Sequence, residues 1–232
     1  MSNQSKLGRL SGWATAGRRA ISTSPQVKVY GILRSGTNYL SALLEANFRV
    51  HSLDSTEKGW KHGPIQVHPE VRSVLIVRDP YTWITSFYDW ERIHNRTEAQ
   101  LSEFISSPVT HRRLRECWNV SDPIDAWNTA YSSWLASADE RDLVVIRYED
   151  LLSDFGVELR RVEDRYHLRR RKPELEDITD RVDTWRTPNP RPEFIRGAGS
   201  SNRIPLAPEV LRLVTERLDR EVMAELGYDL RS

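Results

Sequence analysis

The chain is predicted to be an α/β protein, a central parallel β-sheet flanked by helices. Three observations predict this class. Two unbroken apolar runs, Ser73-Val74-Leu75-Ile76-Val77 and Leu143-Val144-Val145-Ile146, lack in–out alternation and suit strands covered on both faces. Strand-like runs alternate with amphipathic helical stretches, the order that builds parallel sheets. A first strand at roughly 26–31 then passes through Gly31-x-x-x-x-Gly36 directly into a helix, which is the strand–turn–helix unit of such sheets.

In chain order, residues 1–24 are rich in Ser, Gly and Arg and read as a loose N-terminal arm, leaving 25–232 as one domain. The helix after the first strand covers roughly 37–48, with Leu40, Leu43 and Leu44 apolar. A polar stretch holding Trp60-Lys61-His62-Gly63-Pro64 precedes the strand at 73–77. Asp79-Pro80 ends that strand: Asp79 suits an N-cap and Pro80 a first helical turn. The helix so opened runs to about Asn95, with Trp83, Ile84, Phe87, Tyr88 and Ile93 in helical rhythm. Asp122-Pro123 repeats the signal and opens a helix through Trp127, Tyr131 and Trp134. The strand at 143–148 leads to a charged helical stretch at 149–168, and 173–206 is Pro/Gly-rich and irregular. A last helix is predicted from Pro208 to about Leu226, stopped by Gly227.

Composition excludes several classes. With 232 residues and 38% apolar content the chain can bury one sizeable core. No apolar run approaches the ~18 residues of a membrane span, and no secretory signal opens the chain. Cys117 is the single cysteine, so neither an internal disulfide nor a cysteine-based metal site is expected, and a cytoplasmic setting fits. A formal charge of +1 gives no global reason to expect nucleic acid. Of the 34 basic residues 29 are arginine, whose planar fork suits phosphate and sulfate, though a GC-rich genome produces the same bias.

The loop at 31–40 carries the clearest chemistry. Glycines let backbone approach an anion, and the new helix offers unpaired N–H groups and the positive end of its dipole. Arg34, Ser35, Thr37 and Asn38 add a cation and polar side chains to the same small volume. The Lys-Ser/Thr pair that would follow the second glycine in a nucleoside-triphosphatase loop is replaced by Thr37-Asn38, so the loop can hold a phosphate-like group but is poorly equipped to split ATP.

Two further groups are candidates. Arg78 stands at the carboxyl end of a buried strand, where open α/β sheets place ligands, and Ser86 lies two turns down the following helix. Alone, Arg78 could simply pair with Asp79 and Ser86 could simply pack. Lys61-His62 places a cation beside a histidine, which lowers the histidine's pKa and suits a neutral general base, although most lone histidines have no such role. The six histidines show no metal-ligand spacing.

Taken together, Arg34-Ser35-Gly36-Thr37-Asn38-Tyr39-Leu40, then Val77-Arg78-Asp79-Pro80 through Ser86-Phe87-Tyr88, then Arg147-Tyr148-Glu149-Asp150-Leu151 resemble the sulfotransferases that use 3′-phosphoadenosine-5′-phosphosulfate (PAPS). The resemblance runs in the right order over roughly 26–227. It implies a three-layer architecture like that of the P-loop NTPases, with PAPS as co-substrate and no metal. It further implies that Arg34, Ser35, Gly36, Thr37 and Asn38 hold the 5′-phosphosulfate, that Tyr39 takes the place of the tryptophan stacked on adenine, that Arg78 and Ser86 bind the 3′-phosphate, and that Tyr148 contacts adenine. His62 corresponds to the catalytic base. Lys61 departs from the family pattern, standing directly before His62 instead of two residues before it. For the loop that closes on the 3′-phosphate the chain offers Arg196 with Gly197, or Arg203. The implied activity is in-line transfer of the sulfuryl group to a hydroxyl or amine of a small-molecule or glycan acceptor, with His62, Arg34 and Lys61 as catalytic groups. A degenerate P-loop nucleotide kinase or NTPase, and a non-catalytic nucleotide-binding module of the same fold, are the alternatives.

Overall fold

The apolar runs form the middle of a four-stranded sheet. In the computed structural model, which describes residues 24–138, 142–178 and 206–232, the strands are β1 (Gln26–Tyr30), β2 (His51–Ser52), β3 (Val71–Val77) and β4 (Leu143–Arg147). Their order is β2-β1-β3-β4 and every neighbouring pair is parallel. The register sets Tyr30 beside Leu75 and Val77 beside Arg147, so the chain leaves β1, β3 and β4 at one edge of the sheet. The arm expected at 1–24 lies, apart from Ser24, outside the described residues.

Side chains alternate across the sheet into two cores. Tyr30, Leu75 and Val77 pack with α2 (Pro80–Ile93), α5 (Pro123–Leu135) and α8 (Pro208–Arg217). Val27, Val29, Val74, Ile76, Val144 and Ile146 pack on the other face with α1 (Thr37–Asn47) and α7 (Phe155–Tyr166). Burial on both faces is what the unbroken apolar runs require, and it produces three layers. Short helices α3 (Leu101–Phe104), α4 (Arg112–Trp118), α6 (Tyr148–Ser153) and α9 (Arg220–Glu225) complete the described elements. Among the described residues no helix is long and apolar enough to cross a membrane.

Both Asp-Pro signals act as read. The Asp79 carboxylate accepts from Thr82 N at 2.9 Å, and Asp122 accepts from Ile124 N and Asp125 N at 3.0 and 3.1 Å. Elsewhere an aspartate breaks a stretch expected to be continuous. The segment at 149–168 is two helices, because Asp154 turns out of α6 and caps α7 through Val157 N. The final helix is likewise split: Leu218 is extended and buried, and Asp219 caps α9 through Glu221 N and Val222 N. A side chain that satisfies orphan N–H groups starts a new helix as readily in mid-stretch as after a loop. The two-residue strand β2 had no visible sequence signal.

Asp122 also binds Arg217 of α8 at 2.6 Å while itself nearly buried, so it fixes both the start of α5 and its position against α8. Asp122→Ala is expected to lower stability by roughly 2–3 kcal/mol, a lost cap plus a broken, partly buried ion pair. Urea unfolding measures this; a loss under about 0.5 kcal/mol, the scale of an ordinary surface substitution, would show that α5 is held by apolar packing alone.

Candidate active site

The shared strand edge brings three motifs together. After β1 the chain turns through 31–36 and enters α1 behind Gly36, which sits at φ 99°, ψ 14°. Arg34 is also left-handed, at φ 70°. Two left-handed residues so close together bend the backbone sharply, and Gly36, at the N-cap, brings no side chain to the first-turn N–H groups of α1. Gly36 tolerates no substituent: a Cβ would stand 2.5 Å from the Tyr148 ring. At Gly31 a Cβ would stand 2.6 Å from both Ile76 O and Ser35 Oγ.

Each carbonyl from 31 to 34 has its own partner. Gly31 O accepts from His62 Nδ1 at 2.5 Å, Ile32 O from Ser35 N and Oγ at 3.1 and 2.6 Å, Leu33 O from Trp83 Nε1 at 2.7 Å, and Arg34 O from Arg78 Nη1 at 2.8 Å. Arg78 thus reaches from the end of β3 to the loop, with Thr82 Oγ1 on its Nε at 3.3 Å and the Tyr148 ring beneath its guanidinium at 4.8 Å. Loop, strand-end arginine and Tyr148 form one unit.

His62 is built into the same unit from the segment between β2 and β3. Lys61 O accepts from Gly31 N at 3.1 Å while Gly31 O takes the His62 bond, so the two residues grip one glycine from both sides. Because a carbonyl only accepts, Nδ1 carries the proton and Nε2 is left with its lone pair, the tautomer a base requires. Lys61 Nζ donates to Asn38 Oδ1 of the loop. Burial, and then the neighbouring Lys61 cation, pull the His62 pKa down from 6.5 to about 3; His111 and Lys28 act in the same sense. Lys28 itself is a lysine inside β1. Its amine donates to Asp54 O and Glu57 O, anchoring the turn that leads to Lys61, and burial followed by Lys61 draws its pKa down to about 8.

The remaining site residues are distributed unevenly. Thr37 and Asn38 open α1 within the loop unit. Ser35 is fully buried and spends both N–H and hydroxyl on Ile32 O, which makes it a brace of the loop in this arrangement. Tyr39 and Tyr148 are 6% and 2% exposed, so neither offers an open ring face, and the Tyr39 hydroxyl donates to Asp177 Oδ1 at 2.8 Å. Ser86 is half-buried on α2. Arg196, Gly197 and Arg203 lie outside the described residues.

Sequence reasoning missed the supports. Asp79 and Glu149, the acids within two of the motifs, serve structure: Glu149 accepts from Asp79 N at 3.2 Å and Tyr228 OH at 2.8 Å, and Asp79 binds Arg231 at 2.7 Å. Trp118 Nε1 donates to His62 O at 2.8 Å, a partner 56 residues away that no local pattern announces.

A family model described as the sulfotransferase domain matches residues 60–186, more than half of the chain. The chain therefore belongs to the sulfotransferase domain family. The match takes in His62, Arg78, Ser86 and Tyr148 and begins beyond the loop at 31–38. No curated protein matches. Among solved structures the chain is similar to a sulfotransferase from Alicyclobacillus acidocaldarius, with 14% identity and a TM-score of 0.42 over 70% of this chain and 57% of that one. It is also similar to the sulfotransferase domain from the curacin biosynthetic pathway, with 17% identity and a TM-score of 0.40 over 78% of this chain and 63% of that one. The chain thus spans less than two thirds of either.

The buried histidine makes a pH prediction. Between its folded value of about 3 and its ordinary 6.5, the unfolded chain holds a proton that the folded chain does not, so His62 withdraws stability as pH falls from about 6.5 toward 3. Denaturant titrations of wild type and His62→Gln at a series of pH values should show wild type losing ground to the variant as pH drops below 6.5. Parallel curves across that window would contradict a buried neutral imidazole.

Proposed function

We propose that this chain is a sulfotransferase that passes the sulfuryl group of PAPS to a hydroxyl or amine of a small-molecule or glycan acceptor, with His62 as general base. The observation that carries the reading is the convergence of the loop at 31–38, Arg78 and Tyr148 with His62 hydrogen-bonded to the first residue of that loop. The fit to PAPS rests on the two left-handed residues, the uncapped start of α1, and an arginine at the strand end.

In this reading PAPS supplies an activated sulfur–oxygen bond, and the chain's residues bind, orient and move a proton. Arg34 and the N–H groups of Gly36, Thr37 and Asn38 hold the 5′-phosphosulfate, at a helix N-terminus where an anion is favoured. Arg78, with Ser86 further along α2, holds the 3′-phosphate. Tyr148 and Tyr39 form the buried floor beneath the nucleotide, Tyr148 supporting Arg78. The acceptor's proton passes to Nε2 of His62 as its oxygen or nitrogen attacks sulfur in line and the bond from sulfur to the 5′-phosphate oxygen breaks. Lys61 and Arg34 meet the charge gathering on that oxygen.

The depressed pKa of His62 is part of this scheme. A base near 3 is always free of its proton at neutral pH but draws weakly on an acceptor. Negative charge brought beside Lys61 by the donor offsets that lysine's effect on the imidazole, so His62 becomes more basic when the donor is in place.

Three measurements test the reading. Adenosine 3′,5′-bisphosphate without metal should raise the melting temperature, since a ligand at 100 times its Kd adds about 2.7 kcal/mol. Arg78→Ala should weaken that ligand on the order of 10- to 100-fold, the worth of a charged hydrogen bond, and weaken AMP, which feels only the loss of support to Arg34 O, far less; equal losses would mean that Arg78 does not read the 3′-phosphate. His62→Ala should retain bisphosphate binding and lose turnover by on the order of 10²-fold or more. Undiminished bisphosphate release from PAPS in that variant would remove His62 from the mechanism.

A further inference from the structure

Helix α5 carries Trp127, Tyr131 and Trp134 at intervals of four and three residues, which puts the three rings on one face. All are buried and pack in an edge-to-face row, with centroids 4.9 and 5.3 Å apart. The two indole tips land on different segments of the candidate site. Trp127 Nε1 donates to Arg78 O at 3.1 Å, and Trp134 Nε1 donates to Gly63 O, next to His62, at 3.1 Å. Between them the Tyr131 hydroxyl, fully buried and without a well-formed hydrogen bond among the described residues, faces Ser35 and the Arg78 backbone.

Buried indoles usually find an acceptor, so a bonded tryptophan is unremarkable alone. What sets this row apart is where the bonds end. Both acceptors are carbonyls of irregular segments, one at the residue assigned to the 3′-phosphate and one beside the assigned base, and both are measured off a single rigid helix. Rising 1.5 Å per residue, α5 separates Trp127 from Trp134 by about 10 Å along its axis. Segments that sequence joins only through loops are thereby held at a fixed separation.

We propose that Trp127, Tyr131 and Trp134 are positioning residues that set the distance between the donor's anion sites and the general base. Trp127 holds the Arg78 end, Trp134 holds the His62 end, and the Tyr131 ring packs between them with its hydroxyl facing Ser35. The meaning of that distance rests on the donor reading above, whereas the contacts themselves do not.

Phenylalanine keeps the ring packing and removes the polar tip, so the full chain with Trp127→Phe or Trp134→Phe separates the two ends. Two readouts need no acceptor: ¹⁵N NMR of the His62 ring, and the Kd of adenosine 3′,5′-bisphosphate by calorimetry. Trp134→Phe should shift or broaden the His62 Nδ1–H resonance and leave the Kd within about twofold. Trp127→Phe should raise the Kd by about 5- to 10-fold, the worth of a lost hydrogen bond, and leave the His62 resonances in place. The proposal is overturned if either variant moves both readouts together, or if neither readout moves. Should a phenylalanine variant fail to fold, replacing the indole at the same position by benzothiophene through nonsense suppression removes only the N–H and decides the matter in the same way. If wild type shows the His62 resonance but binds no bisphosphate, the donor reading falls, and the Trp134 spectrum still decides whether α5 positions His62.

Discussion

Four consecutive carbonyl oxygens, from Gly31 to Arg34, are each claimed by a specific donor, one from within the loop and three from outside it: Ser35, and His62, Trp83 and Arg78. A carbonyl directed into an anion site repels what the site is meant to hold, and a buried carbonyl without a donor costs the desolvation of that group. Turning all four toward protein donors avoids both, and in the proposed reading it leaves the start of α1 to a negatively charged ligand. The rest of the site follows from where those donors come from. His62 is held by its bond to Gly31, and Gly31 sits where a Cβ would meet Ile76 and Ser35. The loop and the proposed base are one assembly.

That assembly explains the electrostatics as well. Lys61 and, more weakly, Lys28 act on a histidine that is buried, and protonating the ring would add one more cation to an enclosed group. The imidazole is therefore held neutral, first by burial and then by Lys61. The acids of the strand-end motifs are used elsewhere: Asp79 on Arg231 and Thr82, Glu149 on Tyr228 and the backbone of Asp79.

What was legible in the sequence was local. The Gly31-to-Gly36 loop, the apolar strands and the two Asp-Pro helix starts each depend on neighbours within a few residues, and all appear where expected. Arg78 could be singled out because strand ends in parallel sheets collect ligands, and Tyr148 only through the family resemblance of Arg147-Tyr148-Glu149-Asp150-Leu151. The supports were not legible, because each depends on contacts between distant segments. Lys28 reads as an ordinary strand residue until the carbonyls of Asp54 and Glu57 are seen over it. The spacing of Trp127, Tyr131 and Trp134 announces a buried helix face, yet nothing in it says that the indole tips end on Arg78 and Gly63. Ser35 looks like an anion ligand by type, and only its bond to Ile32 O shows it turned inward. The breaks before α7 and α9 were missed for a related reason: an aspartate in a charged helical pattern looks like surface until the backbone turns out beside it.

The choice of tryptophan for four of the site's backbone contacts follows from the same constraint. Trp83, Trp118, Trp127 and Trp134 hold the carbonyls of Leu33, His62, Arg78 and Gly63. An indole nitrogen donates and does not accept, and it neither ionises nor offers a lone pair that could compete for the N–H groups of the loop. Asparagine or glutamine in the same places would bring an acceptor oxygen into the core, and lysine or arginine would bring a charge to be desolvated. The indole delivers one donor from within an apolar layer and contributes its ring to the packing around it. A site that must offer donors above and satisfy carbonyls below has few other side chains able to stand between its backbone and the hydrophobic core.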